Sequence, residues 1–211
     1  MFICLEGVDG CGKSTQLDLL ERALEERGHR VERVRDPGST PVAEEIRALL
    51  LKPRPDGELR PTTELLLYNA ARAELLETRV RPAEKEGKTV LSDRFFWSTW
   101  AYQGFGRGFP AGTIEKLNEI ACAGELPDVT VVIDLPPEVS RERMGRRTSE
   151  TGAEPDRLER EQEAFFERVR AGYRDAAERH PGRVAIVDGT ADCEEVARRV
   201  REALRGRVPG F

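Results

Sequence analysis

Cysteine is scarce in this sequence and follows no pattern. The 211 residues contain four, Cys4, Cys11, Cys122 and Cys193, with no C-x-x-C pair and no metal-ligand spacing. Neither a disulfide framework nor a zinc site organises such a chain, and the thiols read as buried or incidental. Histidine is scarcer still, at two residues; His29 follows a helix stop and His180 precedes Pro181, so both read as surface positions. Positive charge is not in excess. The net charge of −5 disfavours a protein that binds nucleic acid through a concentrated basic face. No apolar run approaches the ~20 residues of a membrane span, and the first, Met1 to Leu5, is too short for a signal peptide. A cytoplasmic protein with no membrane partner is expected. Repeats, low-complexity tracts and a dividing linker are all absent, so residues 1–211 are expected to form one domain.

What remains is 38% hydrophobic and 35% charged, the balance of a globular domain with a heavily ionised surface. MFICLEG reads as a buried strand, and Lys13 to Arg27 as a helix with Leu17, Leu20 and Leu24 on one face. A second strand is predicted over Arg30 to Arg35, a short helix over 41–51 and a polar loop over 52–61. The helix around LLLYNAAR should break or kink at Pro82. Thr89 to Ser92 supplies a third strand running into a loop, followed by a helix near Thr113 to Ala123. VTVVIDL is a fourth strand, 136–147 a helix begun by Pro136 and Pro137, and 148–156 a polar interruption. A long helix from about Arg157 to Arg179, a strand in RVAIVDG and a last helix capped by Asp192 complete the chain. Continuous apolar strands alternating with helices predict an α/β fold with a five-stranded parallel sheet flanked by helices.

Between the first strand and the first helix lies G-V-D-G-C-G-K-S, which fits G-x-x-x-x-G-K-[ST] in its required context. This predicts a P-loop NTPase in which Gly7, Val8, Asp9, Gly10, Cys11, Gly12, Lys13, Ser14 and Thr15 cradle the phosphates of ATP. Backbone N–H groups and the helix N-terminus face the anion, Lys13 takes the β and γ phosphates, and the Ser14 hydroxyl ligates Mg²⁺. Asp93 ends a strand and offers the metal a second carboxylate, although such a residue can instead cap the next turn. Arg94 beside it could clamp a phosphate bidentately or be a surface arginine. Motors, switches and kinases all use this loop.

EGVDGCGKST, RDPGST, LLLYNAAR and SDRFFWSTWAYQG together resemble the thymidylate kinase family in its bacterial form, from Phe2 to about Leu204. The resemblance implies a nucleoside monophosphate kinase-like fold, transfer of the γ-phosphate of ATP to dTMP to give dTDP, and a homodimer. It implies that Arg35 and Arg94 hold the acceptor phosphate, and that Tyr68 stacks on thymine where a phenylalanine is usual. By the same likeness Arg72 reaches the base carbonyl, Thr99 and Gln103 read the base edge, and Tyr102 packs on the deoxyribose. Asp9 would contact the sugar 3′-hydroxyl or a water on Mg²⁺; the plainer alternative is that it shapes the turn. A lid at about 141–157 carries Arg143, Arg146, Arg147 and Arg157. Some members have a catalytic arginine directly after the loop carboxylate; here that position is Gly10, so a lid arginine must serve, Arg147 or Arg143 first, with Arg157 as a further candidate. The catalytic set is then Asp9, Lys13, Arg94 and Arg147, with Arg143 also on ATP. Asp36, Ser39 and Cys11 depart from the family's commoner residues.

Two rivals stay open on the sequence. A deoxynucleoside kinase would use Asp36 as a base on the 5′-hydroxyl. A nucleotide-dependent switch would bind without turnover, but the chain has no N-K-x-D guanine reader.

Overall fold

The computed structural model describes residues 1–54, 59–152 and 154–211. The polar loop predicted over 52–61 and the interruption predicted over 148–156 fall in part on residues 55–58 and 153, which lie outside the described residues.

Five parallel strands form one sheet, β1 (Phe2–Glu6), β2 (Val31–Arg35), β3 (Thr89–Asp93), β4 (Val129–Asp134) and β5 (Val184–Asp188), in the order β2-β3-β1-β4-β5. β1 is buried along its whole length and β4 nearly so, which is why both read as unbroken apolar runs rather than alternating ones. In-register pairing sets Leu5 and Arg35 each opposite Asp93, and Asp134 opposite Asp188. Each strand therefore ends on a charged residue, Glu6, Arg35, Asp93, Asp134 or Asp188, at one edge of the sheet. That carboxyl edge, at the point where β1 separates its two neighbours, is where open α/β sheets bind ligands.

Helices cover both faces. α1 (Lys13–Glu25) buries Leu17, Leu20 and Leu24, and α9 (Cys193–Leu204), capped by Asp192 through the Glu195 N–H at 2.9 Å, packs beside it with Val196, Val200 and Leu204. α2 (Pro41–Leu51) starts at a Thr40 cap and packs on α3 (Pro61–Leu75). Pro82 neither breaks nor ends this helical run. A π-helical turn (Leu76–Val80) intervenes before α4 (Arg81–Lys85), with the Arg81 N–H bonding the Leu76 carbonyl five residues back. The wider turn accommodates a residue that has no N–H to give.

The segment after β3 is the largest difference from the sequence reading. It is helical, α5 (Phe96–Thr99) running into a π-helical stretch (Trp100–Gly106), where a loop was expected. Phe96, Trp97, Trp100 and Tyr102 are buried along it. This stretch packs against α8 (Glu163–Arg179) so closely that a Cβ on Gly172 would lie 2.8 Å from the Ala101 Cα. α6 (Ala111–Cys122) matches its predicted span to within two residues. α7 (Pro137–Thr151) runs through the first four residues of the expected polar interruption and stops at Gly152, while α8 starts six residues later than predicted. Cys4, Cys11 and Cys122 are buried free thiols and Cys193 is exposed.

One buried ion pair welds β2, α3, α5 and α6. Arg72, fully buried, donates through Nε to Asp36 Oδ2 at 2.7 Å, through Nη1 to Asn118 Oδ1 at 2.8 Å and through Nη2 to Thr99 Oγ1 at 2.8 Å. Burial pushes the Asp36 carboxyl up while the guanidinium pulls it down. Removing one partner of such a pair strands the other charge. Asp36→Ala should therefore lower the unfolding free energy by about 3–5 kcal/mol, read from urea midpoints. Adding Arg72→Met should recover much of that loss.

Candidate active site

The phosphate loop is shaped by what surrounds it. A Cβ on Gly7 would lie 2.5 Å from the Ile133 carbonyl, and one on Gly10 would lie 2.8 Å from the Ser140 carbonyl of α7. The loop is thus pressed between β4 and α7, and only glycine fits at both contacts. The Ser140 hydroxyl donates to the Asp9 carbonyl at 2.6 Å, which docks α7 on the loop. Lys13 Nζ donates to the carbonyls of Gly7 and Val8, both at 3.1 Å. A cavity of about 1,080 Å³ opens beyond, lined by Gly10, Gly12, Lys13, Ser14 and Thr15 on one side and by Arg35, Asp93, Arg143 and Arg147 on the other. Gly7, Val8 and Cys11 support the loop from beneath and do not line it.

Across the loop, β3 ends in Asp93 and Arg94. Among the described residues the buried Oδ1 of Asp93 accepts no hydrogen bond, and the Ser14 side chain is exposed in the same cavity. No cluster of three or more His, Cys, Asp or Glu side chains forms a metal cage among the described residues. A single free carboxylate oxygen with a hydroxyl nearby fits Mg²⁺, which keeps several waters and takes substrate phosphate oxygens.

Arg94 is the best-anchored cation at this edge. Its backbone sits at φ 66°, in the left-handed region, and its N–H bonds the Leu5 carbonyl at 3.0 Å. Nη1 donates to the Gly7 carbonyl at 2.9 Å, Tyr173 OH at 3.0 Å and Ser98 Oγ at 3.2 Å. Nη2 donates to Asp9 Oδ1 at 2.6 Å and Tyr102 OH at 3.3 Å, and Tyr102 OH donates in turn to Asp9 Oδ2 at 3.1 Å. Asp9 therefore faces away from the loop's own N–H groups. Burial pushes its carboxyl up, but Arg94 and Lys13 prevail and hold it at about 2.

A second cavity, about 510 Å³, shares Asp9, Asp36, Arg47, Arg94 and Asp156 with the first and continues past Tyr68, Arg72, Tyr102 and Gln103. Four of the predicted acceptor residues thus line its far end. Thr99 lines neither cavity; its hydroxyl is turned to Arg72. Gln103 donates its amide to Glu64 Oε1 at 2.7 Å, which fixes its plane. Arg35 lines the larger cavity alone and pairs with both oxygens of Glu44, at 2.8 and 3.0 Å.

Of the four lid arginines, Arg143 and Arg147 line the larger cavity; Arg143 donates to the Gly189 carbonyl at 3.1 Å and Arg147 pairs with Glu159. Arg146 is exposed on α7. Arg157 is buried, donating to the Leu50 carbonyl at 2.9 Å and pairing with Glu64 at 2.6 Å.

Sequence reasoning missed Arg47, Glu6, Ser98 and Tyr173. Arg47 lines both cavities with, among the described residues, one hydrogen bond, to the Pro37 carbonyl at 3.1 Å, and burial together with the neighbouring Arg35 weakens its hold on its proton. A cation in that position is short of negative charge. Its only sequence signal was its place three residues after Glu44 on one face of α2.

A family model described as thymidylate kinase matches residues 5–200. The thymidylate kinase of Gloeobacter violaceus is 48% identical over 204 residues, spanning 97% of this chain and 94% of its own length. Those of Trichlorobacter lovleyi and Desulfosudis oleivorans are 46% and 44% identical, each spanning 99% of this chain and 98% of its own length.

The Asp9 pairing has a measurable pH signature. Its folded-state value of about 2 lies below the ordinary 3.8, so the stability it contributes is complete above pH 3.8 and is lost as pH falls toward 2. Asp9→Asn should cost on the order of 2 kcal/mol at pH 7. Denaturant unfolding should give an undiminished difference at pH 5, shrinking only below pH 3.8.

Proposed function

The chain belongs to the thymidylate kinase family, and we propose how its residues divide the transfer of the γ-phosphate of ATP to dTMP, which gives dTDP and ADP. ATP lies along the larger cavity and dTMP in the smaller. The observation that carries this reading is the sharing of Asp9, Arg47 and Arg94 by both cavities, so the two phosphates meet where the cavities join.

Lys13 leaves the Gly7 and Val8 carbonyls for the β and γ oxygens of ATP, while N–H groups of Gly10 and of Gly12 to Thr15 hold the phosphate chain. Arg94 and Arg47 orient the acceptor phosphate, with Arg35 at the rim. Arg94 keeps Nη1 on the scaffold and offers its Nη2 edge. Asp9, ionised at every working pH, takes the sugar 3′-hydroxyl together with Tyr102. A phosphate at that position would be repelled. Tyr68 stacks on the base, and Arg72 and Gln103 meet its edge. Ser14 and Asp93 would hold Mg²⁺, which supplies neutralisation of the charge on the β and γ oxygens. Phosphoryl transfer needs positioning and charge far more than covalent help, and these residues provide both.

Residues 141–157 serve as the lid. Arg147 exchanges Glu159 for the transferring phosphoryl oxygens, and Arg143 remains between the ATP phosphates and the loop after β5. Closure excludes water and so limits wasted hydrolysis. Arg157 is a strut of the lid's far end, since its guanidinium is committed to Glu64. A homodimer fits the exposed apolar residues Val42 and Leu49 on α2, Leu66 on α3 and Ile120 on α6. No helix among the described residues is long and apolar enough to cross a membrane, and a cytoplasmic setting accords with the free thiols.

An ATP-to-ADP assay against dTMP, dUMP, thymidine, CMP and AMP tests the whole reading: dTMP should be turned over fast and thymidine not at all. Faster turnover of thymidine than of dTMP would make Asp36 a general base and overturn it. Arg147→Ala should lower kcat by about 10³-fold or more with a much smaller change in KM for ATP. Asp93→Asn should raise the Mg²⁺ concentration that gives half-maximal rate, at unchanged dTMP affinity.

A further inference from the structure

Glu6 is a buried carboxylate that none of these steps uses. It closes β1 with no exposed surface, and four donors converge on it. The N–H groups of Phe95 and Ser98 reach Oε1 at 2.9 and 3.0 Å; the hydroxyls of Ser98 and Tyr173 reach Oε2 at 2.7 and 2.8 Å. The two N–H groups belong to the start of α5, which has no side-chain cap of its own. Burial pushes the Glu6 carboxyl up against the pull of Arg94, so the site is costly to keep.

The two hydroxyls show what it does. Each donates its proton to Glu6, and so turns its lone pairs outward, where both accept from Arg94 Nη1 at 3.0 and 3.2 Å. Burial also pushes the Tyr173 phenol well up, so that it stays a donor to the carboxylate. Glu6 itself stands 3.9 Å from Nη1, in reach of its charge but not of a hydrogen bond. Among the described residues Nη1 thus bonds the Gly7 carbonyl at 2.9 Å and the two Glu6-bound hydroxyls, of which Ser98 also borders the smaller cavity, whereas Nη2 bonds the cavity residues Asp9 and Tyr102.

We infer that Glu6 is a positioning residue for Arg94: acting through Ser98 and Tyr173, it pins the Nη1 edge so that the Nη2 edge is presented to the acceptor phosphate. This rests on the reading of Arg94 as the acceptor-phosphate ligand. A carboxylate that only capped α5 would change stability and both substrate affinities alike. A positioning residue acts on dTMP alone, and only while the guanidinium is there to be positioned.

The test is calorimetric titration of dTMP and of ATP, separately, into the full chain and its Tyr173→Phe, Glu6→Gln, Arg94→Lys and Arg94→Lys/Tyr173→Phe variants. Tyr173→Phe, the gentler change, should weaken dTMP about tenfold and leave ATP within about twofold. Glu6→Gln, if its melting curve shows it folded, should do the same, because its amide N–H₂ cannot accept from both hydroxyls. In the Arg94→Lys background, Tyr173→Phe should add less than about twofold. Equal losses for both ligands, or the same loss in that background, would overturn the inference. If Arg94→Lys weakens dTMP and Tyr173→Phe does not, the positioning role alone fails. If Arg94→Lys leaves dTMP affinity unchanged, the role of Arg94 in holding the phosphate fails with it.

Discussion

The ion pair between Arg94 and Asp9 joins two loop ends that the sequence sets 85 residues apart. Everything at the carboxyl edge of the sheet is arranged around it. β1 delivers Glu6 and the phosphate loop from one side, and β3 delivers Arg94 from the other. To bring the guanidinium over the loop, Arg94 leaves the strand in a left-handed backbone conformation, which is unfavourable for any residue with a Cβ. Such strain persists only where the surroundings over-determine it. Here its N–H is bonded to the Leu5 carbonyl and its own carbonyl accepts from Ser92 Oγ at 2.6 Å, so the strand end and the turn are fixed before the side chain makes any contact.

The same economy of charge runs through the acceptor cavity. Three arginines, Arg47, Arg72 and Arg94, face three aspartates, Asp9, Asp36 and Asp156, but they are not equivalent. Arg72 has acceptors for four of its five N–H groups and no exposed surface; it is a wall. Arg94 has one edge on Gly7, Ser98 and Tyr173 and the other on the cavity residues Asp9 and Tyr102. Among the described residues Arg47 bonds no carboxylate, and burial beside Arg35 weakens its hold on its proton. On the reading proposed above, a dianionic phosphate between Arg47 and Arg94 would relieve that condition, so the affinity for it would be built into the unliganded arrangement rather than created on binding.

The fold was legible because its signals are local. Apolar runs named four of the five strands, β2 being VERVR and mostly charged, and the caps at Gly28 and Asp192 placed helix ends to within two or three residues. The loop motif was legible for the same reason, since N–H groups and a lysine at fixed spacing need only one turn of chain. The stretch after Arg94 was not, because its rings meet distant partners that no local pattern reveals: Phe95 sits edge-on to Phe2 of β1, and Trp100 donates to Asp175 of α8 at 3.0 Å. Glu6 was visible as a charge ending an apolar run, yet its meaning depends on Tyr173 in a different helix. Arg157 and Arg147 show the same limit. They look alike in sequence, but one is buried on Glu64 and the other opens to the cavity, a difference set by where α7 ends at Gly152.

That α7 brings Arg143 and Arg147 to the cavity follows from how it meets the phosphate loop. Position 10 has no room for a side chain, because a Cβ there would lie 2.8 Å from the Ser140 carbonyl and 3.1 Å from Met144 Cγ. An arginine following Asp9 would therefore push α7 off the loop and break the Ser140 bond to the Asp9 carbonyl. Ser140, Met144, Arg143 and Arg147 stand at intervals of three, four and seven residues, which places them along one face of the helix. The face that packs on Gly10 is thus the face that projects Arg143 and Arg147 into the larger cavity. The missing side chain at position 10 and the two arginines of α7 in the cavity are a single packing solution: the helix comes close enough to place Arg143 and Arg147 there only because the loop carries no side chain at that point.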